Sequence, residues 1–343
     1  MEIADTRSDD PVLEVDGLTV RLRTSRGDVE ALRSVSLHVD QGETVGLVGE
    51  SGCGKSLTAL SIAGLLPPMS EVSGEIRLCG RNLTNLDRRA RRQIGGREIG
   101  MVFQDPVASL NPVLSVGGQL AEVARHHLGS SRREAKALAT EMLDKVGIPP
   151  SRNILKDYPH QLSGGMGQRV SIAAALICQP KLVIGDEPTT ALDVTIQAQI
   201  LELLRSAASD SGASLLLITH DLGVIARICD RVVVMYAGEI VESGPTSKIL
   251  SAPRHPYTAA LLKSVPDPEV ETDELETISG SVPELHEMPE GCRFAARCEY
   301  ADAACAVDPP LEVISSGASL RCWHPVGGMN SAGGTGGLSG RRS

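Results

Sequence analysis

The sequence predicts an α/β fold, and three observations carry that expectation. The short apolar runs at the heads of "TVGLVG", "KLVIGDEP" and "SLLLITHD" are uncharged over four to six residues, the mark of strands buried on both faces. Helical patterns such as "LTALSIAGLL" and "DVTIQAQILELLRSAASD" stand between them. A glycine-rich stretch joins the first such strand to the first such helix, where a backbone must turn tightly.

The elements come in order along the chain. "LEVDGLTVRL" and "RSVSLHVDQGE" alternate apolar and polar residues at period two, which predicts antiparallel strands with one solvated face. After the buried strand and its helix comes the basic run "DRRARRQIGGRE", whose simplest reading is a solvated helix face, with a membrane surface or membrane partner as the alternative. Residues 87–178 read as mostly helical and more polar, broken at "DPVASLNPVLSVGG" and "VGIPPSRN". "RVVVMYAGEIVESG" predicts a hairpin turning at Ala237 and Gly238. Beyond "RHPYTAALLKSV" the chain becomes Pro- and Glu-rich, and residues 326–343 are Gly/Ser-rich and expected to be a disordered tail.

Composition narrows the function. The 343 residues allow one large α/β domain with a smaller one. Aromatics are 2% of residues, so Val, Ile, Leu and Ala must build the core. A formal net charge of −10 argues against nucleic-acid binding through the overall field. No apolar run reaches the roughly 18–20 residues of a membrane span, and the acidic start lacks the features of a secretory signal. These features predict a soluble, cytoplasmic chain. In that compartment clustered cysteines are more often metal ligands than disulfides.

"GESGCGKS" matches G-x-x-x-x-G-K-S between a predicted strand and a predicted helix. Gly49, Glu50, Ser51, Gly52, Cys53 and Gly54 would let backbone N–H groups converge on phosphates at a helix N-terminus. Lys55 adds a compact positive charge, and Ser56 a hydroxyl for Mg²⁺. About 130 residues later "LVIGDEPTTALD" places Asp186 at the end of an apolar strand, where a carboxylate is costly unless it faces a cation or water. Glu187 comes next and can act as general base on an attacking water. In "LSGGMGQR", Ser163, Gly164 and Gly165 open a predicted helix as a second anion nest, yet the chain has one ordinary phosphate loop.

With these motifs in this order, residues 12–265 resemble the ATP-binding-cassette family. The resemblance implies an α/β fold with a phosphate-loop NTPase core (RecA-like), an antiparallel β-subdomain and an α-helical subdomain at about residues 105–178. It assigns ATP and Mg²⁺ to residues 49–56, and makes Gln104 in "MVFQDP" the glutamine loop, near the Mg²⁺ shell. It makes Ser163, Gly164 and Gly165 the signature core, Asp186 and Glu187 the acidic pair, Asp193 the aspartate loop and His220 the histidine switch. Glu187, His220 and Gln104 are then the catalytic candidates. In the family's head-to-tail dimer the signature of one cassette caps the ATP of the other, which gives the second nest a purpose.

Two departures stand out. No aromatic precedes the phosphate loop in "RLRTSRGDVEAL" to stack on adenine, leaving the Arg26 guanidinium or a partner for that task. In "GGMGQR", Gly167 stands where relatives with this Met usually carry Arg.

"FQDPVASLNPVLSVG", "YPHQLSGGM" and "HPYTAALLKSVP" resemble the oligopeptide and dipeptide importer branch, to which nickel importers also belong. That branch ends in an extension of the form G-C-R-F-x-x-R-C, a third cysteine, Pro-Pro-Leu and a late Cys, matched here over residues 291–324. The resemblance implies domains at 1–265 and 266–325. It implies a second, non-identical ATPase chain, two membrane permease subunits, an extracytoplasmic binding protein, and work at the cytoplasmic face of the membrane. Cys292, Cys298, Cys305 and Cys322 are separated by five, six and sixteen residues and could hold a 4Fe-4S cluster or zinc, the cluster being the family's implication. This staple is expected to lie outside the phosphate machinery. Cys53, Cys79, Cys178 and Cys229 read as structural. A soluble ATPase sensing redox state or iron through this tail remains the alternative.

Overall fold

Why period-two alternation becomes a half-exposed sheet is visible at the start of the computed structural model, which describes residues 11–149, 153–190, 192–264, 278–315 and 317–327. β1 (Leu13–Thr24) and β2 (Gly27–Val39) form an antiparallel hairpin, with Thr24 opposite Gly27. Leu13, Val15, Leu18 and Val20 of β1 point inward and their neighbours outward. The inward step from Val15 to Leu18 spans three residues because the register shifts there, at Gly17 with φ +58°. β4 (Glu71–Leu78) and β5 (Arg81–Asn82) complete this sheet in the order β2-β1-β4-β5.

The second sheet has eight strands. β3 (Thr44–Val48), β6 (Ile99–Val102), β7 (Leu182–Asp186), β8 (Ser214–Thr219) and β9 (Arg231–Tyr236) run parallel; β10 (Glu239–Pro245), β11 (Glu312–Ser315) and β12 (Ala318–Leu320) join antiparallel. Their order is β11-β12-β10-β9-β3-β8-β7-β6. Alternate residues serve opposite layers. Leu215 and Leu217 of β8 face one core with the helices, while Leu216 and Ile218 face another with the antiparallel sheet. A continuous apolar run is what such a two-sided strand requires.

The helices are α1 (Lys55–Ala63), α2 (Arg88–Ile94), α3 (Pro106–Ser109), α4 (Val116–Leu128), α5 (Arg132–Lys145), α6 (Gly164–Leu176), α7 (Val194–Asp210), α8 (Leu222–Ile228), α9 (Thr246–Ser251) and α10 (Pro256–Lys263). α4 to α6 pack together through Leu120, Ala124, Ala135, Ala139, Leu143 and Val170. Ser115 caps α4, and Ser131 with Glu134 forms a capping box on α5. In the basic run, Asp87 caps α2, and Arg91 turns inward to the Ser61 and Ile62 carbonyls at the end of α1. Arg88, Arg89 and Arg92 are exposed.

The hairpin turns at Ala237 and Gly238 as the sequence implies. Two features differ from the sequence reading. Strand β6 lies inside the stretch read as helical; four residues are too few to impose a period. The cysteine-bearing extension also contributes β12 to the core sheet, pairing with β10 through Glu242–Leu320 and Ser243–Ser319. The expected tail at 326–343 lies almost entirely outside the described residues, as does the first part of the Pro- and Glu-rich stretch. Among the described residues no helix is long and apolar enough to cross a membrane.

Candidate functional site

β3, β8, β7 and β6 are neighbours and parallel, so the loops at their C-terminal ends converge along one edge, where open α/β sheets bind ligands. Residues 49–54 leave the end of β3. Gly49 lies so near β9 that a Cβ would sit 2.1 Å from the Met235 carbonyl oxygen, and Gly54 takes φ +105° where α1 begins. No side chain caps α1 and its first turn holds no acid, so its leading N–H groups stay open to an anion. Lys55 is buried, its ammonium donating to the Gly49 carbonyl at 2.7 Å and the Glu50 carbonyl at 3.0 Å. Cys53 is fully buried beneath the loop and its carbonyl accepts from Gly238 N–H at 2.8 Å.

Ser56 Oγ donates to Asp186 Oδ1 at 2.9 Å, bringing together two of the three expected Mg²⁺ ligands. Burial pushes the Asp186 carboxyl above its ordinary range, and Glu187 adds to this, while Ser56 and Lys55 oppose it. A buried carboxylate beside a hydroxyl is an oxygen pair that a hard divalent cation fits.

Glu187 adopts φ +45°, a left-handed conformation strained for a residue with a Cβ. Its carboxylate accepts from Thr190 Oγ1 at 3.0 Å and lies 3.4 Å from His220 Nδ1 and 3.5 Å from Gln104 Nε2. The last two are long contacts, spaced for groups that could separate to admit a water or a phosphate oxygen. Thr190 carried no separate signal in the sequence beyond its place in "DEPTTALD".

The other family residues stand apart. Ser163 is the N-cap of α6 without a side-chain cap bond; Ser163 and Gly164 are exposed and Gly165 half-buried. Among the described residues no hydrogen bond joins Ser163, Gly164 or Gly165 to residues 49–56. Asp193 is the exposed N-cap of α7, again with no side-chain bond to it. Gly167 is buried in the first turns of α6, and its N–H donates to the Ser163 carbonyl at 2.8 Å. Arg26 sits at the β1–β2 turn, 3.6 Å from Glu284, both exposed.

Cys292, Cys298, Cys305 and Cys322 gather in the extension, where Cys292 N–H donates to the Cys305 carbonyl at 3.0 Å. Burial pushes the Cys292 and Cys322 thiols up to about 11 and raises Cys298, and the nearby thiols push each further. Three thiols that resist ionising beside one another are ones that a metal centre would relieve. The only set of three His, Cys, Asp or Glu ligand atoms all within 4.8 Å of one another, among the described residues, is Asp302, Cys305 and His324. No three of the four thiols are that close, whereas zinc–thiolate bonds of about 2.3 Å require sulfurs about 3.8 Å apart. Asp302 and His324, joined at 2.8 Å, were not singled out by the sequence. Cys178 and Cys229 are buried; Cys79 is exposed in the β4–β5 turn.

The extension is not separate from the phosphate machinery. Arg297 binds the Glu50 carboxylate with both terminal nitrogens, at 2.6 and 3.1 Å. Phe294 packs edge-on against Tyr236 and Tyr257, and the Tyr257 hydroxyl accepts from Glu50 N–H at 2.9 Å. The expectation of an arm lying outside the site fails because Arg293, Phe294 and Arg297, between its first two cysteines, turn inward.

Comparison with known proteins matches residues 32–190 to the "ABC transporter" family model and residues 241–305 to "Oligopeptide/dipeptide transporter, C-terminal region". A protein of Brucella melitensis named among the peptide import ATP-binding proteins is 50% identical over 332 residues, covering 92% of this chain and 98% of that protein. One of Brucella abortus, similarly named, is 49% identical over 313 residues, 91% of this chain and 94% of the relative. Among solved structures, a dimeric ATP-binding cassette in a post-hydrolysis state with ADP and Pi superposes with TM-score 0.61 at 28% identity, over 68% of this chain and 98% of that one. A cassette of Clostridium perfringens, part of an ABC transporter complex, gives TM-score 0.61 at 28% identity, over 71% and 92%.

Proposed function

The chain belongs to the ABC transporter ATPases, and from that premise we propose that it hydrolyses ATP to drive peptide import through separate membrane-spanning subunits. The observation that carries this reading is a divided site. Phosphate loop, acidic pair, Gln104 and His220 meet at one sheet edge, while the nest of Ser163, Gly164 and Gly165 opens outward at the start of α6, with no hydrogen bond among the described residues to the phosphate loop.

In this reading Lys55 and the open amides of α1 hold the β- and γ-phosphates. Ser56, Asp186 and Gln104 would hold Mg²⁺, which would supply positive charge to offset that on the transferring phosphoryl group. Glu187 takes the proton of the attacking water, and His220 and Thr190 orient its carboxylate. Asp193 and the exposed start of α6 serve the facing cassette. Peptide as cargo is supported by the match over residues 241–305 and by the named role of the Brucella relatives. A second, non-identical cassette, two permease subunits and an extracytoplasmic binding protein complete the assembly, at the cytoplasmic face of a cell membrane. A groove of about 910 Å³, with Leu65, Leu66, Phe103 and Leu110 on its walls and Arg88 and Arg92 of α2 beside it, is suited to a permease segment with an apolar face and an acidic edge. The four extension cysteines would hold a 4Fe-4S cluster; that no three of the thiols lie within 4.8 Å of one another suits a polyatomic centre better than one zinc ion.

Reconstitution tests the reading. The chain alone should turn over ATP slowly, and adding the second cassette with the membrane subunits should raise the rate about tenfold or more, as the facing nest completes the γ-phosphate site. Full turnover by a proven monomer would overturn it.

A further inference from the structure

The segment "GCRFAARC" has a cysteine near its start and another at its end, with three contact residues between them. Arg293, with its side chain 4% exposed, donates to the Ala237 carbonyl in the turn whose next residue, Gly238, bonds the Cys53 carbonyl. Phe294 backs Tyr236 and Tyr257. Arg297, with its side chain 5% exposed, is forked onto Glu50, while its Nε donates to the Ser279 carbonyl at 2.8 Å. Glu50 is thus held by its carboxylate, by its N–H on Tyr257 and by its carbonyl on Lys55.

Glu50 puts a negative charge inside the loop that must receive a polyanion. Left alone, that carboxylate would repel phosphates and pull on the backbone that carries Lys55. We propose that Arg297 is a positioning residue for nucleotide binding: by neutralising and orienting Glu50 it keeps the phosphate loop competent, so that nucleotide affinity depends on the cysteine-bearing extension. The inference rests on reading residues 49–56 as the ATP site. A fork of two N–H donors fits the task better than a point charge, because it fixes the plane of the carboxylate as well as its charge.

The test uses the full-length chain with Arg297→Ala, Arg297→Lys, Glu50→Gln and the double variant Glu50→Gln/Arg297→Ala. Two quantities are read: Kd for a fluorescent ATP analogue with Mg²⁺, and hydrogen exchange of residues 49–56 without nucleotide. Arg297→Ala should raise Kd about tenfold, the scale of one uncompensated charge near a polyanion, and speed exchange in the loop. Arg297→Lys should fall between it and wild type. The double variant should bind within about threefold of wild type, because the charge that Arg297 offsets is gone. A purely structural anchor predicts the opposite, a double variant as weak as Arg297→Ala, and that result overturns the inference. So does an Arg297→Ala Kd within about twofold of wild type. Should Arg297→Ala fail to fold, Arg297→Lys and its rescue by Glu50→Gln decide the matter by the same criteria. Wild-type protein that binds no analogue would bring down the nucleotide-site reading as well; unchanged variants beside a binding wild type overturn this inference alone.

Discussion

In the proposed mechanism Glu187 concentrates the chemistry of this chain in one side chain. Its strained backbone lies just past the end of β7, and Thr190, His220 and Gln104 surround its carboxylate from three separate segments. Replacing Glu187 with Gln keeps the shape and removes the proton acceptor. We expect Glu187→Gln to bind Mg-ATP as wild type and to lose roughly 10²–10⁴-fold in turnover within the assembled complex. Near-normal single-turnover hydrolysis would remove Glu187 from the role. Glu187 was legible in the sequence from its place after a buried apolar strand, Gln104 and His220 only through the order of motifs that carries the family resemblance, and Thr190 not at all. The Arg297–Glu50 pair was not legible either, since 247 residues separate the partners and neither carries a pattern that names the other.

At the scale of elements, long periodic segments were legible and short ones were not. β1, β3, β7 and β8 declare themselves by alternation or by unbroken apolar runs. β6 and β12 have four and three residues and are strands only because a neighbouring strand is there to pair with. α10 shows how such contacts carry energetic weight. Its N-cap is His255, wholly buried, with Nδ1 accepting from Tyr257 N–H at 3.0 Å and a further bond to the Arg321 backbone beside β12. Burial pushes its pKa down to about 3. The folded chain therefore refuses a proton that the unfolded chain accepts below about 6.5, so stability is present above that pH and is lost as pH falls toward 3. Between about pH 6.5 and about pH 5 the loss should approach about 2 kcal/mol. His255→Asn preserves an acceptor for the cap and cannot titrate, so urea melts of that variant should show a flatter acid limb. Glu242, whose carboxylate accepts from the His255 N–H at 3.0 Å and is raised by burial, titrates in the opposite sense. The decisive quantity is therefore the difference between variant and wild type, and equal slopes would exclude His255 as the source.

Across the whole molecule, the extension is an edge of the core sheet and, through Arg297 on Glu50, a neighbour of the proposed nucleotide site. Arg33 of β2 binds Glu239 and Asp308 together with the Glu290 and Gly291 carbonyls, so three regions share one guanidinium. A staple here therefore acts on more than an arm. Protein purified without oxygen should contain iron and sulfide, held by Cys292, Cys298, Cys305 and Cys322, because thiolates are soft donors and burial beside other thiols holds Cys292, Cys298 and Cys322 back from ionising until a shared metal centre takes them. Cys298 adjoins Arg297. Cys298→Ser should then loosen residues 278–327, seen as faster hydrogen exchange, and weaken nucleotide binding in the direction of Arg297→Ala. Stoichiometric zinc without iron would remove the cluster and keep the staple, with Asp302, Cys305 and His324 the first place to look for it. No metal at all, with the extension as protected from exchange as the core strands, would defeat both, leaving the β12–β10 pairing, Phe294, Arg33, Arg293 and Arg297 to hold the extension.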